Sequence, residues 1–116
     1  MTDDICQVII TAPNSSWLAD FVHTLVNERL CASGHNLAEI RSIYRWQGSI
    51  EDRTEAHAAL HTRTALVATI INRTNELHPY EVPCVVALPI TAANPAYRQW
   101  ILEETRPVTG TTATEN

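Results

Sequence analysis

The chain has 116 residues, a length that suits a single domain. Its acidic residues outnumber the basic ones by thirteen to eight, for a formal net charge of −5, and this balance argues against a nucleic-acid partner. All eight basic residues are arginine, so no lysine is present to form a Schiff base or to act as a general base.

The cysteines are few and widely spaced. Cys6, Cys31 and Cys84 form no C-x-x-C pair, so neither a zinc ribbon nor a thioredoxin-type motif is present, and three lone thiols suit a reducing compartment. No apolar run approaches the roughly 18 residues of a membrane-spanning helix, and no secretory signal opens the chain. We therefore expect a cytoplasmic protein with no membrane partner.

The first elements are a strand and a helix. Residues Ile5–Thr11 are β-branched and apolar, which predicts a short buried strand. Asn14 or Ser15 can accept a hydrogen bond from the free N–H groups that open a helix. Gly34 is the expected end of that helix. Its apolar stripe contains Leu18, Phe21, Val22 and Leu25.

Residues 37–62 are predicted to form a long β-hairpin around a turn at Gln47-Gly48. The period of two places Ile40, Ser42, Tyr44 and Trp46 on one face. The outer end, near Tyr44 and Trp46, extends farther than a small domain can cover with its own helices. An aromatic hairpin with a free edge needs another chain to cover it, which predicts an oligomer.

The second half repeats the helix–strand order and adds a helix. Thr64 is the expected cap of the second helix, and Pro79 is the expected stop. The continuously apolar segment Cys84–Leu88 predicts a strand covered on both faces. Asn94-Pro95 predicts the start of a last helix, which has Tyr97, Trp100 and Ile101 on its apolar side.

The element order β-α-β-β-α-β followed by a helix predicts an α+β, ferredoxin-like fold with an antiparallel sheet. We expect one domain over residues 1–105 and a flexible tail over residues 106–116, where Thr and Gly dominate.

The segment His78-Pro79-Tyr80-Glu81 is the strongest candidate for chemistry. If the proline forces a turn, the imidazole of His78 and the carboxylate of Glu81 can converge on a metal such as zinc or copper. Such a site needs three or four ligands, and this segment offers two. The alternative, which stays open on the sequence alone, is that both side chains tie down a helix–strand corner through hydrogen bonds.

Other groups of residues give weaker signals. His57 and His61 are four residues apart, and on a strand this separation spans about 13 Å, too far for one metal. His35 follows Gly34 in an expected loop. Neither a G-x-S-x-G elbow nor a glycine-rich phosphate loop is present. Composition and spacing therefore indicate no enzyme.

From Ile5 to about Thr105 the chain resembles the CutA divalent-cation-tolerance family. The motifs that carry the resemblance, in chain order, are Thr11-Ala12-Pro13, Glu28-Arg29-Leu30, Ser42-Ile43-Tyr44-Arg45-Trp46-Gln47-Gly48, Thr62-Arg63, His78-Pro79-Tyr80-Glu81-Val82-Pro83, Leu88-Pro89-Ile90 and Asn94-Pro95-Ala96-Tyr97. Each motif is weak alone, but their combination in this order is specific.

The resemblance implies a tight homotrimer with long strands packed between subunits, similar in fold to the PII signalling proteins. It implies a role in the response to divalent cations, notably copper, and no enzymatic reaction. His78, together with Glu81 from the spacing within the same segment, supplies the candidate metal ligands. The alternative is a PII-like signalling or small-ligand trimer without a metal function. Its clefts between subunits would be lined by Tyr44, Trp46, His61, Tyr80 and Glu81.

The chain departs from the family pattern at several positions. Some members have a cysteine where Ile10 stands and a second histidine where Leu77 stands, so His78 alone remains of that copper set. His61 occupies the place of a lysine, and Gln47 that of a glutamate. These departures weaken the copper prediction and leave the trimer prediction intact.

Overall fold

The computed structural model describes residues 4–108 of the chain. The predicted elements occur in the predicted order, and one short strand, β2, is added to them. The bounds are β1 Ile5–Ala12, α1 Ser15–Asn27, β2 Ser33–His35, β3 Glu39–Trp46, β4 Ser49–Arg63, α2 Val67–Leu77, β5 Val85–Pro89 and α3 Pro95–Glu104. The α+β, ferredoxin-like arrangement with a C-terminal helix is confirmed.

The five strands form one antiparallel sheet built around β4. One edge of β4 pairs with β1, from Ala56 to Arg63, and β1 pairs in turn with β5. The other edge of β4 pairs with β3 and then with β2, so these two strands behave as one interrupted strand. Within residues 4–108, the outer half of β4 pairs with β3 alone. This half is the projecting end of the long hairpin.

The predicted turn at Gln47-Gly48 is confirmed. Both residues have positive φ, at 49° and 83°. Two consecutive positive φ values are typical of the two-residue turns whose twist matches that of antiparallel strands, and glycine adopts such values without steric cost.

The core lies between α1, α2 and one face of the sheet. Asn14 caps α1 through its Oδ1 atom, which accepts a hydrogen bond from the Trp17 N–H at 2.8 Å. The four predicted apolar residues of α1 are all buried. They pack with buried side chains of β1 and β4, including Val8, Ile10 and Leu60.

The expectation that Gly34 ends the first helix is wrong. The helix ends at Asn27, and Gly34 lies in β2, opposite Leu60. A Cβ atom at Gly34 would lie 2.4 Å from Cγ1 of Val22, so glycine is required here for close packing of β2 against α1. His35 consequently belongs to a strand and not to a loop.

Thr64 does not cap the second helix through its side chain. It opens a single 3₁₀ turn, Thr64–Leu66, which leads directly into α2, and neither segment has a side-chain cap. The predicted stop is confirmed, because α2 ends at Leu77 and His78 is already extended in front of Pro79.

The strand predicted at 84–88 is present as β5, but it is not covered on both faces of the single chain. Val86 and Leu88 are 51% and 48% exposed. They pair with Ile9 and Gln7 of β1, on the sheet face opposite the core. This second face therefore displays apolar side chains to its surroundings.

Asn94 caps α3 as predicted, through a 2.9 Å hydrogen bond from the Ala96 N–H to its Oδ1 atom. Of the three residues expected on the apolar side of α3, only Ile101 is buried. Arg106, at the start of the expected tail, donates to the carbonyl oxygen of Glu28 at 3.0 Å. Residues 109–116 lie outside the described range. No helix within residues 4–108 is long and apolar enough to cross a membrane.

Candidate functional site

The His78 ring fastens the corner between α2 and β5 to the end of β1. His78 is 8% exposed. Its Nε2–H donates to the carbonyl oxygen of Thr11 at 2.8 Å, and its Nδ1 accepts the Tyr80 N–H at 3.0 Å. Both nitrogens of a neutral imidazole are thereby engaged with backbone groups. For His78 the geometry corresponds to the corner alternative that the sequence left open, whereas the Glu81 side chain is exposed and takes no part in these two hydrogen bonds.

The donor set around His78 does not suit a metal within one chain. The Glu81 side chain is exposed, and no group of three or more His, Cys, Asp or Glu side chains in residues 4–108 is arranged to hold a metal ion. A metal at His78 would have to displace one of its two backbone hydrogen bonds and recruit further ligands. The assignment of His78 and Glu81 as metal ligands stays a prediction.

A buried carboxylate lies beside this corner and was missed by the sequence analysis. Glu55, on β4, is 4% exposed, and its Oε2 accepts a hydrogen bond from the Tyr80 hydroxyl at 2.5 Å. Burial, followed by the hydrogen bond to Glu55, raises the pKa of the Tyr80 hydroxyl. No local pattern marks Glu55, because its partner lies 25 residues away along the chain.

Glu55 and Tyr80 line a cavity of about 550 Å³, which we call the hairpin cavity. It brings together Tyr44, Trp46, Tyr80 and Glu81, which the family resemblance had placed in a ligand cleft, and adds Glu51, Arg53 and Glu55. Tyr44 and Tyr80 are half-buried, and Trp46 is 38% exposed. The Arg53 guanidinium donates to the Glu51 carboxylate at 2.9 Å.

His61 lies elsewhere, so the predicted set of cleft residues is divided between two places. It borders a second cavity, of about 640 Å³, together with Gln7, Leu88 and Tyr97. His61 Nε2 lies 2.9 Å from Gln7 Oε1, and His61 Nδ1 lies 2.5 Å from the Tyr97 hydroxyl. Because an amide oxygen can only accept, Nε2 carries the proton and Tyr97 donates to Nδ1.

His35 lies next to His61, and we call these two residues the histidine cluster. Its ring centroid lies 5.0 Å from that of His61, and its Nε2 lies 2.9 Å from the Ser33 hydroxyl. Burial, and then the charge of a protonated His35, lowers the pKa of His61. The two rings meet because β2 pairs with β4, so the missed strand is what brings His35 to the site.

The structure also shows where His57, Cys31 and Cys84 lie. His57 and His61 both lie on β4, as predicted. Cys31 is buried, and burial raises the pKa of its thiol to about 12, which disfavours the reactive thiolate. Cys84 is exposed and lines the hairpin cavity.

Comparison with known proteins decides the family. A sequence model described as CutA1 divalent ion tolerance protein matches residues 6–104. The chain belongs to this family. The resemblance found in the sequence motifs is thereby confirmed.

Relatives of known sequence agree with this assignment. The divalent-cation tolerance protein CutA of Pyrococcus horikoshii is 39% identical over 99 residues, which cover 85% of this chain and 96% of that protein. Protein CutA of Mus musculus is 33% identical over 104 residues, 90% of this chain but 59% of the mouse protein. The chain thus spans little more than half of the mouse relative.

A solved structure extends the agreement to the fold. The crystal structure of CutA1 from Oryza sativa superposes with a TM-score of 0.88 at 29% identity. The superposition covers 92% of this chain and 98% of that one. The fold of this CutA chain is therefore that of the rice CutA1 over nearly the whole length of the solved chain.

Proposed function

We propose that this CutA protein acts as a homotrimer in the tolerance of divalent cations and catalyses no reaction. The observation that carries the assembly is the apolar second face of the sheet, where Val86 and Leu88 are half exposed. The projecting hairpin adds exposed Ile43 and Ile50. Apolar surface next to an unpaired strand edge favours burial against further copies of the chain.

Membership of the divalent ion tolerance family supports the cation role. Copper is the ion that the resemblance implies. Because no three His, Cys, Asp or Glu side chains in residues 4–108 are arranged to hold a metal ion, we expect a copper site at His78 and Glu81 to take further ligands from another protomer. Such a site would form only in the assembled protein and would take up ions in a fixed ratio to trimers. A cytoplasmic location stays a prediction, and the name of the Arabidopsis thaliana relative describes that protein as chloroplastic.

Native mass spectrometry with and without a slight excess of Cu(II) tests both parts of the proposal. We expect a trimer that takes up ions in multiples of three, and we expect His78→Ala to lose them. His23→Ala is the matched control, because His23 is exposed on α1. A monomer at micromolar concentration would contradict the assembly. A trimer that takes up no ion, or His78→Ala with unchanged uptake, would contradict the copper site.

A second candidate function is binding of a small ligand by a PII-like trimer. It is favoured by the hairpin cavity, which collects Tyr44, Trp46 and Tyr80 around a buried carboxylate. Its volume of about 550 Å³ lies within the range typical of small-molecule sites. This candidate requires no metal and can be tested independently of copper binding.

A further inference from the structure

We infer that the hairpin cavity binds a small organic cation, an ammonium or guanidinium compound, between its aromatic rings and its carboxylates. The inference rests on the second proposed function, ligand binding in this cavity, and names the chemical class of the ligand.

The charge of the lining selects for a cation. Glu51, Glu55 and Glu81 contribute three carboxylates, against the single guanidinium of Arg53. That guanidinium is already paired with Glu51. A bound anion would face an excess of negative charge, whereas a cation would reduce the repulsion among the carboxylates.

Glu55 supplies the strongest single attraction. It is 4% exposed, so little water reaches its carboxylate. Its Oε2 accepts from Tyr80, and no donor to the other oxygen, Oε1, lies within residues 4–108. A carboxylate can accept about four hydrogen bonds, and a desolvated one is stabilised by each donor it gains. An ammonium or guanidinium N–H is the donor that such a group favours most.

The spacing of the carboxylates favours an organic cation over a metal ion. They line a cavity of about 550 Å³, and no three acidic, histidine or cysteine side chains in residues 4–108 converge on one point. The aromatic rings favour the same class of ligand. Tyr44, Trp46 and Tyr80 line the cavity, Trp46 keeps 38% of its surface accessible, and aromatic rings attract ammonium and guanidinium groups.

The test is calorimetric titration of the full chain with agmatine, putrescine and choline, and with ATP and citrate as anionic probes. We expect the organic cations to bind and the anions not to bind. Glu55→Gln should weaken cation binding about tenfold and Trp46→Leu at least about threefold. Trp100→Leu should leave affinity unchanged, because Trp100 is exposed to nearly the same degree, 39%, and does not line the cavity.

A second readout needs no substitution. Cys84 lines the cavity and is exposed, whereas Cys6 and Cys31 are buried. A bound cation should slow the reaction of Cys84 with a thiol reagent in the unaltered protein. This measurement keeps the proposal testable if Glu55→Gln fails to fold.

The outcomes separate the inference from the function on which it rests. Binding of ATP or citrate without the cations would overturn the cation class and leave ligand binding in place. Cation binding unchanged in both Glu55→Gln and Trp46→Leu would overturn the site. If no probe binds and Cys84 reactivity does not respond, ligand binding by this cavity is overturned altogether.

Discussion

The Nε2 atom of His78 lies 2.8 Å from the carbonyl oxygen of Thr11, and this hydrogen bond ties the end of α2 to the end of β1. The same ring accepts the Tyr80 N–H on its other side. A residue that the sequence marked as a metal ligand therefore fastens a corner of the fold, and its loss should affect stability whether or not a metal binds.

His78→Ala should lower the free energy of unfolding by about 1–3 kcal/mol, because it leaves two backbone groups without their partner. His78→Asn should lower the free energy of unfolding by less, because its Oδ1 can still accept the Tyr80 N–H in a local turn. The shorter asparagine side chain cannot reach Thr11, so that hydrogen bond is lost in both variants. Chemical denaturation followed by circular dichroism, at one fixed protomer concentration, measures both. Equal losses in the two variants would show that the Tyr80 bond contributes nothing.

Tyr80→Phe should destabilise the protein by about 1–3 kcal/mol, because it removes the hydrogen bond to the buried Glu55 carboxylate. Glu55→Gln should cost less, since the amide oxygen can still accept from Tyr80. Tyr44→Phe is the control in the same cavity, where the Tyr44 hydroxyl has no hydrogen bond within residues 4–108. Thermal unfolding compares the stability of the three variants. The prediction is contradicted if Tyr44→Phe destabilises the protein as much as Tyr80→Phe does.

The pKa of His61, measured by NMR titration of its ring protons, should lie below the ordinary value of 6.5, because burial disfavours the charged ring. His35→Gln should raise it, since the neighbouring charge is removed. The relevant pH window runs from the pKa of His61 in the folded protein up to 6.5, its ordinary value in the unfolded chain. Within this window the unfolded chain binds more protons than the folded one. The contribution of His61 to stability should therefore fall as the pH drops through this window. A His61 pKa above 6.5 would contradict the burial argument.

Val86→Lys should break the proposed trimer into smaller species, because it places a charge on the apolar second face of the sheet. Val26→Lys is the matched control, an exposed valine at 39% accessibility on α1. Light scattering coupled to size exclusion gives the mass of each variant. A trimer that persists in Val86→Lys would place the subunit contact on another surface.

Gly34→Ala should lower the free energy of unfolding by about 1–3 kcal/mol, because the added methyl group would overlap the stiff Val22 side chain on α1. Val22→Ala in the same chain should recover part of this loss by vacating the space. A double-mutant cycle of unfolding free energies measures the coupling between the two positions. Additive losses would show that the strain at Gly34 arises from another neighbour, such as Leu60.

The sequence by itself determined the architecture. The confirmed local signals are the apolar stripe of α1, the Asn14 and Asn94 caps, the Gln47-Gly48 turn and the stop at Pro79. Such signals depend on a few neighbouring residues, so they can be read from the chain directly. The motif order also identified the family.

Only the tertiary structure decided what the candidate residues touch. Glu55 and Tyr80 are 25 residues apart, and His35 meets His61 only because a three-residue strand pairs with β4. Gly34 looked like a helix end because glycine serves equally well at a cap and at a close packing contact. Residues that are distant in the chain are brought together by the register of the sheet, and no local pattern in the sequence encodes that register. For this reason the sequence predicted the fold and the family. The hairpin cavity, the histidine cluster and the structural role of His78 follow from the pairing of the strands and are seen only in the tertiary structure.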